Sequence, residues 1–289
     1  MAEFFQFVVT GLATGAMYAL VGLGIALVFQ VTGVINFAQG HFVMLGALTF
    51  AILAESGVAP LPAAALALAG TTMVGFLLDR LVIAPARNQP TDRLIILTIG
   101  ASIVIEGVTL VAFGTQPRAA EPFSPGVLRI GGVSLERQYL WVAGAAAVAV
   151  AAVWFFLTRT TLGKAMRGVA MDREAARLMG ISPSRMSLLV FTLAAALAAL
   201  GGVALAPIQH PDPGIGIALG LKGFTAAVIG GLDSPAGAVV GGLLLGVAEA
   251  VAAGYLPSGY KDAVAYGVLI LLLVARPTGL LRTVRAVRV

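Results

Sequence analysis

A chain of 289 residues that is 59% hydrophobic and only 11% charged lies far from the roughly 25% charged residues usual in soluble domains. Its formal charge of +5 would suit nucleic acid if the basic residues shared one soluble face, but they fall in short intervals between apolar runs. The absence of cysteine excludes structural disulfides and thiolate metal sites.

Apolar runs bounded by Pro, Gly and charged residues predict helices near 4–29, 34–54, 62–84, 94–113, 139–157, 187–207, 218–232, 236–253 and 262–275. Runs of about 20 apolar residues are long enough to cross a hydrocarbon core of roughly 30 Å. The expected fold is therefore an all-α polytopic membrane protein with about nine transmembrane helices, forming a single transmembrane domain over 1–289. The opening residues MAEFFQFVV lack the basic region of a cleaved signal peptide, so the first helix is expected to stay in the mature chain. Glycines at four-residue spacing, Gly11 with Gly15, Gly237 with Gly241 and Gly242 with Gly246, read as packing seams between helices.

The second helix is expected to open with Asn36, Gln39 and His41, with Asn36 and Gln39 on one face and His41 turned away. These polar groups serve either helix contacts or a polar passage. Glu106 lies nearest the middle of a span, where a charge costs about 2.5 to 3.5 kcal/mol, so it is either hydrogen-bonded structure or a passage wall. Asp79 and Arg80 read as boundary residues, and Glu249 as a residue reaching the interface. The segment 218–232 is short for a crossing and is followed by Asp233, Ser234 and Pro235, so it either crosses tilted or re-enters.

Between the fifth and sixth predicted helices lies a polar loop, 158–185, that carries Arg159, Lys164, Arg167, Arg173, Arg177 and Arg185. Cytoplasmic loops are enriched in Lys and Arg. With nine crossings and the N-terminus outside, thirteen basic residues fall inside: Arg80, Arg87, Arg93, these six, and Arg276, Arg282, Arg285 and Arg288. Five fall outside: Arg118, Arg129, Arg137, Lys222 and Lys261. A re-entrant 218–232 would change the division to ten against eight. Within the loop the pattern predicts one helix over 162–171 and a second over 173–179, with Asp172 as its N-cap and Gly180 as its end. A short helix with Leu178 and Met179 at its tip and Arg173 and Arg177 at its rim suits either a cleft in a soluble partner or an anionic membrane surface.

Enzyme signatures are missing: there is no H-E-x-x-H, no G-x-S-x-G and no G-x-x-x-x-G-K-[ST] phosphate loop. No catalytic residue, metal ligand or cofactor site is expected on this chain. The residues GAMYAL (15–20), GVINFAQG (33–40), LTIGAS (97–102), 162–180 and 220–249 resemble, in order, the permeases of ABC importers for branched-chain amino acids. Within them Glu174, Ala175, Ala176 and Gly180 are similar to the E-A-A-x-x-x-G loop by which importer permeases engage their ATPases. Gln39 stands where the family usually has histidine, and no Leu-Pro pair follows Gly180.

The resemblance implies a bacterial inner-membrane subunit, and the division of basic residues places its N-terminus on the periplasmic side and its C-terminus on the cytoplasmic side. It would work with a second, homologous permease, two cytoplasmic ATPases that hold ATP and Mg, and a periplasmic substrate-binding protein; nucleic acid is no partner. Arg167, Asp172, Arg173, Glu174, Ala175, Ala176, Arg177 and Gly180 would contact the ATPase, while Asn36, Gln39, His41 and Glu106 are pathway candidates. Relatives for urea, short amides or other small solutes, an ion-coupled transporter using Glu106, and a passive channel are the alternatives.

Overall fold

A computed structural model describes residues 2–130, 133–255, 257, 260–276 and 279–281. Arg282, Arg285 and Arg288, which enter the charge count above, lie outside the described residues. The elements are α1 (Ala2–Thr32), α2 (Gln39–Glu55), α3 (Pro60–Leu78) closing in a π-turn (Asp79–Ile83), α4 (Thr91–Phe113), β1 (Val127–Ile130), β2 (Val133–Glu136) and α5 (Arg137–Arg159). They continue with α6 (Thr161–Met171), α7 (Arg173–Leu178), α8 (Pro183–Gln209), α9 (Ile215–Gly230), α10 (Pro235–Tyr255) and α11 (Lys261–Ala275).

All nine predicted apolar segments contain a helix, and among the described residues six helices are long and apolar enough to cross a membrane: α1, α3 with its π-turn, α4, α5, α8 and α10. The helices α2, α9 and the apolar part of α11 are shorter. The 16 residues of α9 span about 24 Å at 1.5 Å per residue, less than a hydrocarbon core.

Helix α1 is enclosed, with Tyr18, Leu20, Ile25, Leu27 and Val28 all buried, whereas α4 turns Ile103, Val104, Val108 and Val111 outward. An apolar exterior on helices that bury little of themselves is what a lipid or protein neighbour requires. The glycine seams are real contacts. A Cβ on Gly11 would stand 2.7 Å from Val247 Cα, and one on Gly15 would stand 2.8 Å from Leu243 Cα. Rising numbers on α1 thus meet falling numbers on α10, so the two helices run antiparallel with their backbones touching. Gly237 and Gly241 play the same part against Gly230 and Ala226 of α9.

Two ends of the bundle are defined by their hydrogen bonds. At one end the β1–β2 hairpin docks on α1, where Gln6 Nε2 donates to Ser134 O (2.6 Å) and Gln6 Oε1 accepts from Ser134 N (2.7 Å). Arg118 ties the neighbouring loop to Glu55 (3.1 Å) and, through its N–H, to Pro211 O (3.0 Å). This hairpin departs from the expected all-helical chain. Its strands pair Val127 with Glu136 and Ile130 with Val133 around Gly131-Gly132, a dipeptide suited to a tight turn that itself lies outside the described residues. The opposite end holds the C-terminus of α1, the π-turn, α6, α7 and the α9–α10 connection. There Leu280 N and Leu281 N donate to Ile229 O and Gly230 O (2.9 and 3.0 Å). Pro207, the last residue of the predicted helix 187–207, lies inside α8, which continues to Gln209 and stops at His210 in a left-handed conformation (φ 45°).

Candidate functional site

The first polar centre is a break between α1 and α2. A helix was expected from residue 34, but α2 begins only at Gln39, and residues 34–38 pass through the bundle without helix or strand partners. Asn36 therefore does not share a helical face with Gln39. Backbone polar groups inside a membrane must be satisfied by the protein, and the sequence supplies the means locally and from α4. Asn36 Oδ1 accepts from Ala38 N (3.1 Å), Thr32 Oγ1 from Val34 N (3.2 Å) and Thr98 Oγ1 from Phe37 N (3.2 Å). Gln39 Nε2 donates to Ala194 O of α8 (2.9 Å). Gly40 is pressed against the backbone of Gly216 and Gly220, so a side chain there would separate α2 from α9.

His41 is 2% exposed and its Nε2 lies 3.1 Å from Glu106 Oε2, while the Glu106 side chain keeps 32% of its surface exposed. The fold thus joins two candidates 65 positions apart, half open on the flank of α4. Asn36 Nδ2, Gln39 Oε1 and His41 Nδ1 are buried with no hydrogen-bond partner among the described residues. Unpaired buried polar atoms are costly in a packed core, and a cluster of three at one helix break marks a place where polar ligands or a second arrangement would be stabilised.

The second centre was missed. Lys222, counted above among the outside charges, sits in the middle of α9, and Glu249, expected at the interface, is 1% exposed. Lys222 Nζ lies 2.5 Å from Glu249 Oε1 and 5.6 Å from the centre of the Tyr18 ring. The pairing neutralises two charges that neither helix could bury alone. The only sequence signal was their charge inside apolar segments. Glu249 also borders a cavity of about 380 Å³ between α1, α5, α8 and α10, together with Gln6, Thr10, Thr14, Tyr139 and Gln209.

The third centre is the loop end. Thr160 Oγ1 accepts from Gly163 N (3.0 Å) and starts α6; Asp172 Oδ1 accepts from Glu174 N and Ala175 N (2.9 Å each) and starts α7, as its residue type and position predict. Gly180 takes φ +80° and lets the chain leave α7. Ala176 is buried, and Arg167, Asp172, Arg173, Glu174, Ala175, Arg177 and Gly180 are exposed. Met171, Leu178 and Met179 are 84%, 89% and 82% exposed, a large apolar offering outside any spanning helix.

Behind α7 the expected boundary residue Asp79 is fully buried. Its Oδ1 accepts from Ser187 Oγ (2.6 Å) and its Oδ2 from Arg87 Nη2 (2.8 Å), and the same nitrogen donates to Ser184 O (3.1 Å). Arg80, the other boundary residue, is exposed beside it.

Residues 7–273 match the family described as branched-chain amino acid transport system, permease component. The chain is 35% identical to the high-affinity branched-chain amino acid transport system permease protein BraD of Pseudomonas aeruginosa, covering 96% of each chain. It is 32% identical to LivH of Escherichia coli K12 over 96% of this chain and 95% of that one, and 26% identical to the ribose import permease protein RbsC of Escherichia coli K12 over 79% and 72%. Among solved structures it resembles a chain of PsaBC from Streptococcus pneumoniae in complex with Fab, with TM-score 0.52 and 14% identity over 94% and 95% of the two chains, a likeness of fold. A family match across nearly the whole sequence, with the ordered blocks and the capped loop in place, makes this chain a member of the branched-chain amino acid transport system permease family.

Proposed function

We propose that this chain is one of a pair of inner-membrane permeases that admit a branched-chain or related neutral amino acid, driven by two cytoplasmic ATPases that bind ATP and Mg. Substrate arrives from a periplasmic binding protein. The observation that carries the substrate class is 35% identity to BraD over 96% of both chains. The likeness to a ribose import permease, at 26% identity, leaves other small polar solutes as the second reading.

In this reading the chain makes nine passes, with the N-terminus periplasmic and the hairpin on that side. The shorter α2 and α9 count as passes because they are packed within protein, where incomplete spans are tolerated, and α11 is counted as the ninth. Residues Arg167 and Asp172 to Gly180 meet the ATPase. Asn36, Gln39, His41 and Glu106 border the pathway, supported by the three unpaired polar atoms at the α2 break and by the half-open carboxylate. Closure of the ATPase pair shifts the balance between inward and outward access only through contacts that differ between those states.

The test is to isolate the tagged chain from native membranes. Two ATPase copies and a second permease should accompany it, and hydrolysis by the complex should rise with leucine-loaded binding protein. A chain that travels alone and concentrates substrate on an ion gradient would instead establish the ion-coupled transporter.

A further inference from the structure

The connection between α3 and α4, residues 84–90, has no counterpart among the segments read as functional in the sequence. In the structure Arg87 and Asn88 form one wall of a groove of about 500 Å³ whose other wall is Arg173, Glu174, Arg177 and Gly180. Three guanidinium groups and one carboxylate border it, and with Arg87 paired to Asp79 its balance is modestly positive, carried by Arg173 and Arg177. The exposed Leu178 and Met179 stand at the end of α7 beside it. Guanidinium groups gathered with an apolar tip select a protein segment that is acidic with an apolar anchor.

Arg87 differs from the other two arginines in reaching inward as well. Of its five N–H donors, the two on Nη2 go to Asp79 Oδ2 (2.8 Å) and Ser184 O (3.1 Å). Asp79 closes α3 through the π-turn, where its carbonyl accepts from Ala84 N (2.7 Å), and its other carboxylate oxygen holds Ser187 in the second turn of α8. One side chain therefore touches the groove, the end of α3 and the start of α8. Removing it would leave the fully buried Asp79 carboxylate without its cation.

We infer that Arg87 is a positioning residue of the coupling site: the ATPase lays an acidic segment in the groove between residues 84–90 and α7, and Arg87 links that segment to α3 and α8 through Asp79 and Ser187. This rests on the reading of α7 as the ATPase contact. It adds a second docking element and a route from the docked partner to two membrane helices.

The permease reconstituted in nanodiscs with its ATPase subunits provides the test. Arg87→Gln should weaken ATPase association at least tenfold and flatten its salt dependence, while Asp79→Asn should leave association within about twofold and cut substrate-stimulated hydrolysis at least fivefold. Arg87→Lys, which keeps the charge and loses the fork, should restore association and not stimulation, and it serves in place of Arg87→Gln if that variant fails to insert. Wild-type association and stimulation in both Arg87 variants would overturn the inference. So would an effect confined to binding of phosphatidylglycerol vesicles, which would make the groove a lipid site. Arg173→Glu with Arg177→Glu separates the two claims: association lost there and retained in Arg87→Gln overturns only the role of Arg87, and association retained in all removes the docking reading itself.

Discussion

Among the described residues two acid–base pairs lie within the apolar helices, and they are built differently. Lys222 and Glu249 join neighbouring helices α9 and α10 at 2.5 Å, with side chains 11% and 1% exposed. His41 and Glu106 join α2 to α4 at 3.1 Å, with side chains 3% and 32% exposed. The first pair is closed in by Tyr18 and by glycine contacts between α9 and α10. The second stands on a helix whose buried residues are only Leu94, Thr98, Ser102 and Thr109. A pair with both side chains buried holds helices in place, whereas one open at its carboxylate, on a lightly packed helix, is free to change partner.

The largest effect is expected at the sealed pair. Lys222→Met or Glu249→Leu alone should cost about 3–5 kcal/mol by stranding a buried charge, and the double substitution should recover most of it. Thermal melting of the purified protein in detergent reads this; a double variant as unstable as the worse single would show that the pair is not a unit. At the open pair, Glu106→Gln keeps a hydrogen-bonding side chain, so stability should change by less than about 1 kcal/mol. Uptake should fall at least tenfold, about 1.4 kcal/mol in barrier terms. Unchanged uptake would return Glu106 to a structural role.

Smaller effects sharpen the contrast between the buried centre and the loop end. Asp172→Ala removes the cap of α7 and should cost about 1 kcal/mol locally; ATPase association should weaken a few fold, and no change would argue that α7 is held by the rest of the loop. Smallest is Gly107→Ala on α4, where an added Cβ meets nothing within 4 Å. Melting should shift by less than a degree or two for a change worth roughly 0.5 kcal/mol. A loss of uptake at unchanged melting would mark that face as a contact with the second permease.

What the sequence reveals follows the range of each interaction. The cap at Asp172 and the exit at Gly180 depend on neighbours within a turn or two, so residue type and spacing announce them. Apolar length likewise announces the helices. The late start of α2 was hidden because Val34 and Ile35 continue the apolar run, and one of the bonds that satisfy the break comes from Thr98, 61 positions from Phe37. Lys222 with Glu249, and Asp79 with Ser187, meet across 27 and 108 positions, too far apart for spacing to announce either pair. The hairpin had a local signal in Gly131-Gly132 flanked by Val127–Ile130 and Val133–Glu136, but it was submerged in a loop rich in proline.

The most direct measurement is leucine uptake into proteoliposomes containing this chain together with the second permease, ATPase subunits and binding protein proposed for it. Accumulation should be saturable and should require internal ATP and every component, with a proton gradient having no effect. Uptake by this chain alone, driven by an ion gradient without ATP, would contradict it.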